Sequence, residues 1–118
     1  MTKQTIHDVS EKTRELMAAP SCCPEAKAAA QAWLDAVGTD REQEETKKYL
    51  AELAEDVTSI DGLIAFASSE MGAAHLGREG AAGLLAHAKE IQAKGAKFCD
   101  CPACTAALAI LGRKADML

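Results

Sequence analysis

All five cysteines of this 118-residue chain fall in two short segments, Ser21-Cys22-Cys23-Pro24 and Cys99-Asp100-Cys101-Pro102-Ala103-Cys104. Each contains a Cys-Pro dipeptide leading into an alanine-rich stretch. Proline suits the first position of a helix, where its missing N–H would have no partner anyway, so Cys23 and Cys101 are expected at helix N-caps. Free backbone N–H groups and the positive end of the helix dipole lower a thiol's pKa there. The expected product is thiolate, the form that binds metal or attacks a disulfide.

Cys101 and Cys104 are separated by two residues, which brings both sulfurs to the same side of a first helical turn, and Cys99 lies just ahead on the incoming chain. Three sulfurs therefore converge locally. A fourth from the first segment would close a tetrahedral Cys₄ site and clamp two helices far apart in sequence. Cys23 is the preferred fourth ligand by analogy with Cys101, and Cys22 is a spare or an alternate. Zinc leads among the metals; an iron–sulfur cluster is the alternative, since it uses the same ligand type. The C-x-C-x₂-C spacing matches neither the paired C-x₂-C zinc ribbon nor the ferredoxin run.

A dithiol reading competes with both. Cys101-Pro102-Ala103-Cys104 is a C-x-x-C at a helix start, where one thiol attacks and the other resolves a mixed disulfide. The βαβ context of thioredoxin-type proteins is missing. All-helical thiol-peroxidase partners place a histidine three residues after the second cysteine, and here that position is Ala107. The plainest alternative is a set of reduced thiols with no joint role. Stable disulfides are not expected, given an odd number of cysteines and an expected cytoplasmic location.

Other chemistry is thinly supplied. His87 falls on the apolar side of its expected helix, His75 near a helix end and His7 near the N-terminus, without metal-ligand spacing among them. Glu42, Glu44, Glu45, Glu52, Glu55 and Asp56 read as a solvated helix face with Lys47 and Lys48 among them. No phosphate-binding loop, nucleophile elbow or zinc-protease motif occurs, so any catalysis would have to be thiol-based.

The elements that must position these residues are helices. Net charge is -5 and pI about 5.1. With no basic cluster and 3% aromatic residues, neither counterion release nor base stacking has anything to act through, so nucleic acid is not an expected partner. No apolar run is long enough for a membrane span, and the first residues lack a signal-peptide pattern. Hydrophobic content is 48%, yet 25 of those residues are alanine. So small a stock of large side chains makes an extra staple useful against the chain entropy lost on folding.

Apolar periodicity and capping signals predict an all-α, compact single-domain bundle of five to seven short helices spanning residues 1–118. The first runs from Thr2 to Ala18 with Ile6, Val9, Thr13, Leu16 and Met17 on one side, ended by Pro20. The second runs from Pro24 to Val37 and closes at Gly38. Thr39 and Glu42 form a capping box for a third helix through Glu55, with Tyr49, Leu50, Leu53 and Val57 inward. Ser59 caps 60–67, Ser69 caps 70–76 up to Gly77, and a longer helix covers 78–94, striped by Leu84, Leu85, Ala88 and Ile91 and ended by Gly95. The small-sided run Met71-Gly72-Ala73-Ala74, with Gly80 to Gly83, permits close helix approach or forms a wall for a partner, simple tight packing being the plainer reading. A last helix starts at Pro102 and carries Leu108, Ile110, Leu111 and Met117.

Through Ser21-Cys22-Cys23-Pro24, Leu63-Ile64-Ala65-Phe66-Ala67, Ala86-His87-Ala88-Lys89-Glu90-Ile91 and Cys99-Asp100-Cys101-Pro102-Ala103-Cys104, nearly the whole chain resembles a small bacterial family of cysteine-rich, all-helical proteins common in anaerobes. Members sometimes carry a heat-shock or chaperone label, but this chain is far too short for the ATP-binding fold of the large chaperones. The anaerobic setting that the resemblance implies favours the iron–sulfur alternative. Two expectations follow: a metal-stabilised module that meets a protein partner, or a redox protein using the same cysteines.

Overall fold

The computed structural model describes residues 1–118, all of which fall into seven helices and their connections: α1 (Lys3–Ala18), α2 (Pro24–Ala36), α3 (Glu42–Asp56), α4 (Ile60–Ala67), α5 (Glu70–Ala93), α6 (Pro102–Leu111) and α7 (Lys114–Met117). The fold is all-α, as the periodicity requires. No helix is long and apolar enough to cross a membrane. The helices group into two compact units: residues 1–57 with 100–118, and residues 58–99.

In the first unit α1 packs on α6, α2 on α3, and α3 on α6. Its core is built from Val9, Leu16, Trp33, Tyr49, Leu53 and Ile110, all at most 1% exposed, with alanines filling the gaps between helices. The large aromatic residues are anchored at their polar ends. Trp33 Nε1 donates to Thr46 Oγ1 at 3.0 Å, and that hydroxyl donates to the Glu42 carbonyl at 2.7 Å. The Tyr49 and Thr13 hydroxyls share a 2.9 Å hydrogen bond, and the Trp33 and Tyr49 rings stack with centroids 5.6 Å apart. Both pairs satisfy groups whose burial would otherwise cost about 1 to 3 kcal/mol each. Burial also pushes the Tyr49 phenol up to about 12.

Three features of this unit differ from expectation. The capping box is displaced: Thr39 Oγ1 accepts from the Arg41 N–H, Glu42 Oε1 accepts from the Gly38 N–H, and α3 starts at Glu42 itself. Glu45 does not sit on a solvated face; it is 8% exposed, and Arg41 and Lys48 reach over it to pair with its carboxylate. The expected last helix is also divided. α6 stops at Gly112, and Met117 is buried from the separate turn α7.

The second unit is α4 packed on α5. Ser59 and Ser69 cap them as expected, accepting from the N–H groups of Gly62 and Gly72. Gly72 is buried, and a Cβ there would run into the Phe66 carbonyl oxygen, so the small-residue run does serve close approach. α5 is broken at Gly77, whose φ of 76° is left-handed, which is the boundary expected between 70–76 and 78–94. Of the expected stripe only Ala88 is fully buried; Leu84, Leu85 and Ile91 are half-buried.

Candidate metal centre

Cys99 is placed by backbone pairing. Its N–H donates to the Thr58 carbonyl at 2.8 Å and the Ile60 N–H donates to the Lys97 carbonyl at 2.9 Å, an antiparallel bridge that ties residues 97–99 to the start of α4. No alternating pattern announces this pairing in the sequence. Two residues later Cys101 takes the extended N-cap conformation, φ -61° and ψ 158°, with Pro102 at the first helical position. Thr105 then folds back on the turn, its N–H donating to the Cys101 carbonyl at 2.9 Å and its hydroxyl to the Asp100 carbonyl at 3.1 Å.

This turn brings Cys99, Cys101 and Cys104 together, with their three Sγ atoms within 4.8 Å of one another. Cys99 and Cys104 are buried, and Cys101 is half-buried. Cys101 is also an N-cap in the full sense, because its Sγ accepts the Cys104 N–H at 3.3 Å. A three-cysteine group of this spacing is able to hold a metal ion, as the sequence spacing led one to expect. For tetrahedral zinc, with Zn–S of about 2.3 Å, neighbouring sulfurs stand roughly 3.8 Å apart, inside the observed limit.

The first cysteine segment meets the start of α6. Ser21 Oγ accepts the Ala103 N–H at 3.4 Å, so the 21–24 turn adds a second acceptor to the helix N-terminus that Cys101 caps. Cys22 and Cys23 nevertheless lie outside the three-sulfur group. Cys22 is buried, and its thiol points to the Cys23 carbonyl at 3.5 Å. Cys23 is the N-cap of α2 ahead of Pro24, as expected, but its side chain makes no capping hydrogen bond.

Both thiols are pushed up from the ordinary value, which for Cys23 is contrary to the expected N-cap effect. For Cys22 the first cause is burial, followed by the charges of Cys23, Asp56 and Cys101, with Lys27 opposing them. For Cys23 burial again comes first; the Ala26 N–H acts in the other direction, while Asp56 and Glu25 add to the rise. Desolvation disfavours the charged form, and here it outweighs the helix terminus. Asp56 was read from sequence as part of a solvated face. Its Oδ2 is instead buried without a hydrogen-bond partner, and its charge contributes to raising Glu52 as well, after burial.

No histidine belongs to the three-ligand group. His7 pairs with Glu11 at 3.2 Å, His75 faces the Phe66 ring at 6.3 Å, and His87 is exposed instead of lying on a buried stripe. Ser21, Thr58 and Asp56, which shape the cysteine turns, were not singled out by any motif: each acts through a contact distant in sequence. No protein-family model, curated protein or solved structure matches the chain.

Proposed function

We propose that the chain is a metal-stabilised helical module in which Cys99, Cys101 and Cys104 hold one structural zinc ion and the helical surface serves a protein partner. The observation that carries this reading is the approach of three sulfurs to within 4.8 Å over six residues of chain. That spacing suits a single ion better than a 4Fe–4S cluster, in which each terminal thiolate binds a different iron. Structural zinc favours four thiolates, and the 21–24 turn is the source we assign for the fourth. Cys23 is favoured by its position as the N-cap counterpart of Cys101; Cys22 is favoured by an environment in which Cys101 is one of the charges felt. Exposed Met71 and Leu76 on α5 offer apolar area for a partner.

Metal analysis and an absorption spectrum on anaerobically purified protein test the reading. One zinc per chain and a colourless sample are expected. A brown sample with iron and sulfide would replace zinc by a cluster, and a metal-free sample that takes up no zinc would remove the module altogether. Zinc content of Cys22→Ser and Cys23→Ser then identifies the fourth ligand.

A further inference from the structure

Within the three-sulfur group, Cys101 and Cys104 are not equivalent. Cys101 is half-buried, sits at the N-cap of the ten-residue helix α6, and has the Cys104 N–H donated to its sulfur at 3.3 Å. That bond fixes the Cys101 sulfur at the mouth of the turn, where it is the more exposed of the two. Cys104 is buried one turn further on, and its sulfur is within 4.8 Å of that of Cys101. Two residues between cysteines on a first helical turn is the spacing at which one sulfur attacks and the other resolves. Cys99 is differently constrained: its backbone is held by the Thr58 carbonyl, and a single residue separates it from Cys101.

We infer that the pair Cys101 and Cys104 is a hydroperoxide-sensitive dithiol whose oxidation to a disulfide empties the metal centre. The inference rests on the metal reading above for what is released, but its sulfur chemistry stands on the dithiol geometry. The Cys101 thiolate attacks one peroxide oxygen; the O–O bond breaks, and the departing oxygen leaves as water after taking up a proton. Cys101 is then a sulfenic acid. The Cys104 sulfur attacks the Cys101 sulfur, the S–O bond breaks, and the hydroxide leaves as a second water, taking the Cys104 proton in the metal-free chain or a solvent proton where Cys104 is a metal-bound thiolate. Two thiols are oxidised to one disulfide and one hydroperoxide is reduced; for hydrogen peroxide both products are water.

A disulfide sulfur is a poor metal ligand, so the ion loses two of its three local thiolates and leaves. An added low-molecular-weight dithiol reverses the bridge by exchange and restores the site. Burial of Cys104 protects the resolving thiol from bulk reagents, while the half-exposed Cys101 is reached first.

The test treats the reduced, zinc-loaded full chain with hydrogen peroxide and follows zinc release with a chromophoric chelator, intact mass, and peptide mapping of the bridge. Expected are zinc release in step with loss of the mass of two hydrogens, a mapped Cys101–Cys104 link, and full reversal by dithiothreitol. In Cys104→Ser, trapping with a dimedone-type reagent should find sulfenic acid at Cys101. Mapping on the wild-type chain needs no variant to fold. If zinc binds but peroxide leaves the thiols intact, or links Cys99 to Cys101, the inference is overturned with the metal site standing. If the reduced chain takes up no zinc yet still forms the 101–104 bridge, the metal reading and the gating fall together and the dithiol chemistry alone is upheld.

Discussion

The turns at Cys23-Pro24 and Cys101-Pro102 begin from the same local instruction and end in different chemistry. In both, cysteine takes the N-cap and proline the first helical position. At Cys101 the sulfur accepts a backbone N–H and two more sulfurs lie beside it. At Cys23 the sulfur lacks that capping geometry, and burial, with Asp56 and Glu25 adding to it, raises the thiol's pKa against the opposing Ala26 N–H. A helix N-terminus by itself therefore does not create a reactive thiolate. What surrounds the sulfur decides: a converging set of ligands in one case, a desolvated site beside a carboxylate in the other.

Loss of a sulfur from the 99–104 turn should have the largest effect. Cys104→Ser or Cys101→Ser in the zinc-loaded chain should lower Tm by more than about 10 °C, at roughly 4 °C per kcal/mol for a chain of this size. After chelation, wild type and variants should melt within a few degrees of one another. Equal melting before and after chelation would break the distinction between the two turns. Gly72→Ala is the control for a loss unconnected with metal. Its Cβ meets the Phe66 carbonyl, so α4 and α5 must separate at a cost of about 1 to 3 kcal/mol, with zinc content unchanged. Ser21→Ala removes the bond by which one turn caps the helix of the other, and chemical denaturation should register about 0.5 to 1.5 kcal/mol.

Much of the fold was legible because it rests on local rules. Prolines 24 and 102, serines 59 and 69 and glycines 38, 77 and 95 mark helix limits through backbone preferences that need no tertiary partner. The meeting of Cys99, Cys101 and Cys104 was legible for the same reason, being confined to six residues. Long-range contacts were not. Asp56 looked solvated on its own helix, and only packing buries its Oδ2; Cys23 looked activated, and only packing raises its pKa. The α6 break at Gly112 carries no more signal than Gly80 or Gly83 inside α5, because Gly112 keeps a right-handed φ of -64°.

The smallest effect concerns the protonation of the first turn, and it sharpens the contrast most directly. In the folded chain Cys22 and Cys23 titrate above the ordinary thiol value of 9.0. A raised pKa means that the fold favours the neutral thiol, so this contribution to stability is complete below the unfolded value and is lost as pH rises through the folded one. Tyr49 adds to the same alkaline limb, from 10.0 towards about 12. With metal removed by a chelator, iodoacetamide should modify Cys22 and Cys23 appreciably only above pH 9, as read by peptide mapping. Asp56→Asn removes a negative charge that contributes to both rises and should move both alkylation profiles to lower pH. The shift should be small, because burial, which the substitution leaves in place, is the larger cause. A Cys23 that is alkylated in wild type well below pH 9 would mean that the helix terminus prevails there over burial and Asp56.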